Sequence, residues 1–254
     1  MKLKVLAYIV LLMPVLAMSA EPDSYYLGLY QQANELYKTG NYDSAATLYS
    51  QIVGSGYTAP EVLYNLANCH YKLGHLAESI LYYEKALRLA PGDADILHNL
   101  QVANAQIIDR IDPVEKVFFV RWWESVAYAL TPDGWGLWSV LMLTLMCISL
   151  AVYFLSRTPS VRQAGFISAF VFLVFFGLAM TLGYEALHRY QEQQGIVFAP
   201  TVNVKSEPNP GAPVQFVIHE GTKVKVLAQE SEWLRIQLED GKTGWLPAQS
   251  IEMI

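Results

Sequence analysis

Thiol, imidazole and carboxylate side chains are the groups of this chain that could do chemistry, and their spacing forms no reactive motif. The two cysteines are far apart, Cys69 in a polar helical segment and Cys147 in a long apolar run, so we do not expect them to pair. The histidines lack the spacing of zinc ligands. No nucleophile elbow, P-loop or glycine-rich dinucleotide motif occurs. The sequence therefore predicts neither an enzyme nor a bound cofactor or metal.

Charge and hydropathy limit the class of protein further. The net charge is −6 and the pI is about 5.4, which argues against a nucleic-acid partner. Charged residues make up only 16% of the 254 residues, and the mean hydropathy is +0.24. Part of the apolar content is therefore expected to face lipid. It is concentrated in three runs: Val5–Ala17, Leu137–Leu155 and Phe166–Tyr184.

The side chains best suited to bind a partner recur at a fixed distance along the chain. The segment Leu29–Tyr49 is repeated 34 residues later as Leu63–Tyr83. The identical pairs are Leu29 and Leu63, Tyr30 and Tyr64, Ala33 and Ala67, Asn34 and Asn68, Tyr37 and Tyr71, Lys38 and Lys72, Gly40 and Gly74, and Tyr49 and Tyr83. This period is typical of tetratricopeptide helix pairs, which stack into a solenoid with a concave surface.

The second copy resembles the tetratricopeptide repeat most closely. The likeness is carried by Tyr64-Asn65-Leu66-Ala67-Asn68, by Tyr82-Tyr83-Glu84-Lys85-Ala86-Leu87 and by the closing Pro91. The first copy ends in Gly54-Ser55-Gly56 without a closing proline. Ala94–Arg110 resembles the first helix of a third repeat, but no matching second helix follows it. We therefore expect it to cap the stack. The resemblance implies an all-α domain of about two and a half repeats over residues 24–111.

The same resemblance implies a protein-binding groove along the first helix of each pair. Its residues would be Tyr30, Asn34, Tyr37, Lys38, Tyr64, Asn68, Tyr71, Lys72 and His98. Asparagine amides can hydrogen-bond a peptide backbone, lysines can meet a carboxylate, and tyrosines offer contact area at low entropic cost. The alternative stays open that the identical residues reflect only repeat duplication and packing.

The N-terminal run has the plan of a secretory signal peptide over residues 1–20. Lys2 and Lys4 precede a short apolar stretch, which ends in Ala17-Met18-Ser19-Ala20. An uncleaved anchor is the alternative, although the run is short for a span of about 20 residues. This segment predicts export of the repeats from the cytoplasm.

The other two runs predict a hairpin through the membrane, with spans over residues 135–155 and 164–184. The loop between them, residues 156–163, carries Arg157 and Arg162 and no acid, which favours the cytoplasm. Both flanking domains would then lie outside the cytoplasm, on the periplasmic side of a bacterial inner membrane. A linker helix is expected over residues 185–197.

An interfacial segment over residues 112–134 is expected before the first span. Trp122, Trp123, Trp135 and Trp138 are indole rings of the kind that favour the membrane boundary. Together with Phe118 they suggest a helix on the membrane surface. A helix buried against the repeats is an equal alternative.

After the second span the sequence changes to the alternation of short β-strands. Glu220-Gly221 and Asp240-Gly241 suit hairpin turns that need a positive φ. Residues 198–254 resemble the bacterial SH3-like domain, a small all-β barrel. The likeness is carried by Asn203-Val204-Lys205-Ser206, Glu220-Gly221-Thr222-Lys223-Val224-Lys225-Val226, Trp233-Leu234-Arg235-Ile236 and Gly241-Lys242-Thr243-Gly244-Trp245-Leu246-Pro247.

Two tryptophans of this domain are candidate ligand contacts. Trp233 and Trp245 belong to the segments that carry the resemblance, and each could equally be a core residue. Relatives of this domain bind cell-wall peptides, bind protein tails or serve as spacers. Glu207 stands where the family usually has a glycine after the first serine, which weakens the expectation of a family ligand pocket near that turn.

The order of these parts resembles the BatE-type proteins of the aerotolerance operon. Leu130-Thr131-Pro132-Asp133-Gly134-Trp135 before the hairpin adds to the likeness. The resemblance implies that the protein acts beside other Bat membrane proteins, which have von Willebrand A-type domains, and beside a cytoplasmic MoxR-type ATPase. It also implies a role in envelope stress or oxygen tolerance. We therefore expect a multidomain membrane protein that serves as an extracytoplasmic interaction scaffold. The alternative is a module that binds peptidoglycan through its SH3-like domain.

Overall fold

A computed structural model describes residues 24–111 and 114–254 of the chain. The predicted signal peptide lies outside these residues. The described part consists of a helical repeat region, two long apolar helices and an antiparallel sheet. The fold class expected from the sequence is therefore confirmed.

Two antiparallel helix pairs and one further helix form the repeat region. They are α1 Ser24–Lys38, α2 Tyr42–Gly54, α3 Pro60–Leu73, α4 Leu76–Leu89 and α5 Ala94–Asn104. Asp93 caps α5 by accepting hydrogen bonds from the amides of Asp95 and Ile96. Ala33 and Ala67, one from each copy, are completely buried, and their small side chains let neighbouring helices approach closely.

Three helices come after the repeats: α6 Phe118–Ala127, α7 Pro132–Leu155 and α8 Pro159–Gln191. Helices α7 and α8 are long and apolar enough to cross a membrane, and only 11% and 22% of their most apolar stretches are buried. They pack as a hairpin. A Cβ at Gly165 of α8 would lie 2.9 Å from the backbone nitrogen of Tyr153 in α7, so this close approach requires glycine.

The end of α8 departs from the predicted linker helix over residues 185–197. Helix α8 continues only to Gln191, and Gln194–Val197 form strand β1 instead. This strand pairs antiparallel with two others, β4 Lys223–Glu230 and β7 Ile251–Met253. The prediction was wrong for these four residues because their strand conformation depends on partners far along the chain.

The sheet has seven strands in the order β3-β2-β6-β5-β4-β1-β7. The remaining strands are β2 Thr201–Lys205, β3 Val214–His219, β5 Trp233–Gln237 and β6 Thr243–Pro247. Alternate residues of β2, β5 and β6 point into one apolar core, as the period of a half-buried strand requires. Gly221 and Gly241 have φ values of 85° and 88° in the turns where the sequence predicts positive φ.

The domain built on this sheet, residues 194–254, is called the barrel below. It is packed directly on the repeats through an apolar contact. Ile196 of β1 is completely buried and belongs to the same core as Ile80 and Ala103 of the repeats. Gly221, in the turn between β3 and β4, lies against Ile107, and a Cβ there would be 2.6 Å from the Ile107 Cγ2 atom. The barrel therefore closes the end of the helical stack, next to the capping helix α5.

Polar contacts reinforce this junction. The Asp109 carboxylate accepts hydrogen bonds of 2.6 Å from the His219 amide and the Thr222 hydroxyl, and it lies 2.8 Å from the His219 ring. The Lys223 ammonium pairs with the Glu84 carboxylate at 2.7 Å. Burial raises the pKa of Asp109, but the bonds from Thr222 and His219 outweigh it and hold the pKa below its usual value.

Candidate protein-binding groove

The repeated asparagines join successive helix pairs through a hydrogen-bonded ladder. In the first copy, Asn34 Oδ1 accepts from the Tyr49 hydroxyl at 2.6 Å and from Asn65 Nδ2 at 3.2 Å. Asn65 Nδ2 also reaches the Tyr30 hydroxyl at 3.3 Å. Because Asn65 belongs to the next helix pair, these bonds fix the spacing between the two pairs.

The second copy repeats the arrangement. Asn68 Oδ1 accepts from the Tyr83 hydroxyl at 2.5 Å and from Asn99 Nδ2 at 3.0 Å, and Asn99 Nδ2 lies 2.8 Å from the Tyr64 hydroxyl. Burial raises the pKa of both Tyr49 and Tyr83 above the ordinary tyrosine value, so both hydroxyls stay protonated donors. The oxygen atoms of the repeated asparagines thus have a structural role.

A depression of about 240 Å³ opens beside the second rung of the ladder. It is lined by Tyr37, Tyr64, Asn68, Tyr71, Lys72, Tyr83, Asn99 and Val102. The first five of these residues are among the nine that the sequence predicts for the groove. Helices α1, α3, α4 and α5 therefore bring aromatic, amide and cationic groups together on one surface.

The other four predicted residues lie elsewhere. Tyr30 lines a separate depression of about 200 Å³ near the N-terminal edge of the stack. Asn34 lies in the first rung of the ladder, and Lys38 is exposed and paired with Glu35 at 2.8 Å. His98 is exposed on α5, outside the residues that line either depression.

Asn99, Val102 and Tyr83 line the depression but are not among the groove residues predicted from the sequence. Asn99 stands 34 residues after Asn65, so extending the repeat comparison into α5 finds its place in the ladder. Val102 occupies the position that Asn34 and Asn68 hold in the earlier copies, and the change from amide to valine hides the correspondence. Tyr83 belongs to the second helix of its pair, whereas the resemblance places the groove residues on first helices.

Lys72 and Asn68 carry the side-chain nitrogens of the depression that have no partner in the described part of the chain. Lys72 is the one charged residue among the eight that line it. Over residues 24–111 and 114–254, the Lys72 ammonium has no ion-pair partner and the Asn68 Nδ2 group makes no hydrogen bond. Tyr71 contributes a ring to the wall, and its hydroxyl accepts a hydrogen bond from Gln106. The surface can therefore offer a partner one cation, one amide donor and several aromatic rings.

The groups that could do chemistry lie outside this depression. Burial raises the pKa of the Cys69 thiol to about 12, so it stays protonated and behaves as a small apolar residue. His70 stacks on Tyr82 with ring centroids 5.4 Å apart, and burial lowers its pKa. In the part of the chain that the structure describes, no three His, Cys, Asp or Glu side chains group as a metal site.

The two tryptophans of the barrel lie outside its core. Trp233 and Trp245 are half-buried, and they alternate with the core residues Leu234 and Leu246 along strands β5 and β6. In the strand register Arg235 lies opposite Trp245. The outer face of the sheet therefore carries two indole rings beside a cation.

Comparison with known proteins identifies the two folded regions separately. Residues 30–94 match the family model of the tetratricopeptide repeat. Residues 200–252 match the model of the bacterial SH3 domain. Both are typically binding modules without catalytic activity, and together they support a role in protein–protein interaction. These two matches confirm the tetratricopeptide and SH3-like resemblances drawn from the residues.

Comparison with individual proteins adds little to the two family matches. The search of curated proteins gave no match. Among solved structures, NlpC2 from Trichomonas vaginalis aligns with 18% identity and a TM-score of 0.23, over 25% of this chain and 26% of that chain. The alignment thus spans about a quarter of that protein's length. The BatE-type resemblance of the full arrangement gains no support from these comparisons.

Proposed function

We propose that this protein is a membrane-anchored scaffold that holds an extended segment of a partner protein in the depression of its repeats. The observation that carries the proposal is that two donor nitrogens without a protein partner among the described residues, those of Lys72 and Asn68, lie beside aromatic walls. Lys72 would meet a carboxylate of the partner, and Asn68 Nδ2 would donate to a backbone carbonyl. Tyr37, Tyr64 and Tyr71 would supply contact area around these bonds.

The residues around the α7–α8 connection suggest on which side of the membrane the scaffold lies. In our proposal both folded regions lie on the periplasmic side of a bacterial inner membrane, because Arg157 between α7 and α8 and Arg162 in the first turn of α8 have no acidic residue beside them. The partner would then be another membrane protein on that side. A Bat-type envelope complex linked to stress or oxygen tolerance is the specific form of this proposal, and it rests on the order of the parts alone.

A second candidate function is peptidoglycan binding by the barrel. It is favoured by the outward position of the half-buried Trp233 and Trp245 on neighbouring strands, because indole rings on the outer face of a domain commonly form the centre of binding surfaces. In this alternative the repeats would hold the barrel in place or join copies of the chain.

Crosslinking tests the groove. A photoreactive residue at Val102 of the full chain, which lines the depression and takes no part in the ladder, should capture a discrete membrane protein in cells. Lys72→Gln should reduce that capture about five- to tenfold, the effect of losing 1–1.4 kcal/mol of binding energy at a contact of moderate strength. Lys38→Gln is the matched control, since Lys38 holds the same repeat position outside the depression and should leave capture unchanged.

The opposite results point to the barrel. Capture that survives Lys72→Gln at full strength, or products spread over many unrelated proteins, would contradict the groove proposal. Sedimentation of the full-length protein with purified sacculi, reduced by Trp233→Ala and Trp245→Ala, would then support the second function.

A further inference from the structure

Helix α6 turns an aromatic face away from the rest of the protein. Phe118, Phe119 and Trp122 are 72%, 61% and 62% exposed. At 100° per residue these three side chains lie within about 100° of one another around the helix. Ala127, on the other side, is completely buried. Helix α6 therefore exposes large apolar side chains that a helix packed on a protein core would bury.

The C-terminal end of α6 is fixed to the two membrane helices. The Trp135 indole donates to the Ala127 carbonyl at 2.8 Å, within the first turn of α7. The Arg189 guanidinium, near the end of α8, stacks over the Tyr128 ring at 4.1 Å. Helix α6 thus lies at the level where α7 begins and where the apolar stretch of α8 gives way to its polar end.

The segment before α6 is fixed to the barrel. The Val114 amide donates to the Glu239 carbonyl at 3.1 Å, next to the turn between β5 and β6. Lys116 of the same segment pairs with Glu124 of the helix at 2.6 Å. Both ends of α6 are therefore held, and its direction is set by contacts that leave the aromatic face open.

We infer that the aromatic face of α6 lies in the boundary between headgroups and acyl chains of the lipid bilayer. The neighbouring helix identifies this occupant: α6 is bonded to the first turn of α7, a candidate membrane span whose next residues, Leu137 and Trp138, are themselves exposed. Soluble surfaces rarely expose adjacent large aromatics, whereas membrane boundaries favour them. Arg121, exposed beside this face, can meet lipid phosphate.

Immersion of α6 gives the protein a third attachment to the membrane. A hairpin alone leaves the attached domains free to rock about its end. Helix α6 adds a membrane contact on one side of that end. Because Val114, just before α6, is bonded to the barrel, this contact also restricts the movement of the barrel. The barrel and the repeats share a core around Ile196, so α6 would fix the height and tilt of both above the bilayer.

Depth-dependent fluorescence quenching tests this inference. The full chain, with Cys69→Ala and Cys147→Ala, carries an environment-sensitive dye at Phe118→Cys in nanodiscs of phosphatidylethanolamine and phosphatidylglycerol. Nitroxide lipids labelled near the headgroup should quench this dye at least threefold more strongly than the same dye at Gln101→Cys, an exposed site on α5. A dye at Phe119→Cys should behave like that at Phe118→Cys.

Two results would overturn the inference. Quenching of both α6 sites by aqueous iodide as strong as at the Gln101 site would place the face in water. An apolar emission spectrum without lipid quenching would show that a protein surface, such as a second copy of the chain, covers the face. Carbonate-resistant insertion of each labelled variant serves as the check that the hairpin is in the membrane.

Discussion

The ladder inside the repeats and the junction between repeats and barrel both depend on polar side chains shielded from water, but the chain encodes them differently. Ladder bonds join residues 15, 31 and 35 positions apart, and each occurs in both copies. Junction bonds join residues 110, 113 and 139 positions apart, and each occurs once. A repeated contact leaves a period in the sequence, whereas a single long-range contact leaves none.

This difference has a consequence for stability. Ladder bonds are nearest-neighbour contacts of the kind whose free energies add along a repeat protein. The junction instead combines an apolar core, an ion pair and the hydrogen-bonded Asp109 carboxylate, so a substitution at one of these contacts should weaken the others. Single substitutions of the two systems should therefore behave differently.

The largest effect is expected at Gly221 of the junction. Gly221→Ala places a Cβ at a φ of +85° and 2.6 Å from Ile107 Cγ2. Backbone strain and overpacking should together cost about 2–4 kcal/mol. Hydrogen exchange of the β3–β4 turn in the detergent-solubilised chain measures the loss.

Gly40 provides the matched control for this substitution. Its φ is +80°, and a Cβ there would have no atom within 4 Å. Gly40→Ala should therefore cost only the strain of about 1 kcal/mol. Equal losses at the two glycines would mean that the barrel is not pressed against Ile107.

An intermediate effect is expected in the ladder. Tyr83→Phe removes the 2.5 Å donor to Asn68, and Tyr49→Phe removes the 2.6 Å donor to Asn34. Each substitution should lower the free energy of unfolding of the repeats by about 1 kcal/mol, the usual net value of one hydrogen bond. Chemical denaturation followed by helical circular dichroism measures it.

The pair of tyrosine variants also tests the independence of the rungs. The two substitutions should add when combined, because no partner is shared between the rungs. A combined loss well above the sum would show that the ladder acts as one cooperative network.

The smallest effect is the pH dependence of the junction. The folded-state pKa of Asp109 lies below its unfolded value of about 3.9. Its contribution is therefore complete above that unfolded value and is lost as pH falls through the folded pKa. Amide exchange is itself slower at pH 3 than at pH 5, so the quantity to compare is the protection factor of the β3–β4 turn. This factor should fall from about pH 5 to pH 3, and Asp109→Asn should flatten that dependence. A slope unaffected by Asp109→Asn would assign the acid sensitivity to other carboxylates.

Much of the repeat region can be predicted from local sequence. The 34-residue period and the positions of Ala33 and Ala67 predict two helix pairs, because small residues recur wherever such helices cross. The depression is only partly predictable. Lys38 and Lys72 are equivalent in sequence, yet Lys38 pairs with Glu35 while Lys72 lines the depression without an ion pair among the described residues. Neighbouring residues that differ between the copies decide this.

By itself, the sequence determined the parts: repeats through their period, membrane helices through apolar length, and the barrel through its alternation and turn glycines. Only the tertiary structure decided how they join. In the structure Gln194–Val197 form a strand where the sequence predicts a helix, and Asp109 lies against His219. The physical reason is that periodicity reports burial within an element, whereas docking depends on the shape and charge of surfaces assembled from distant segments.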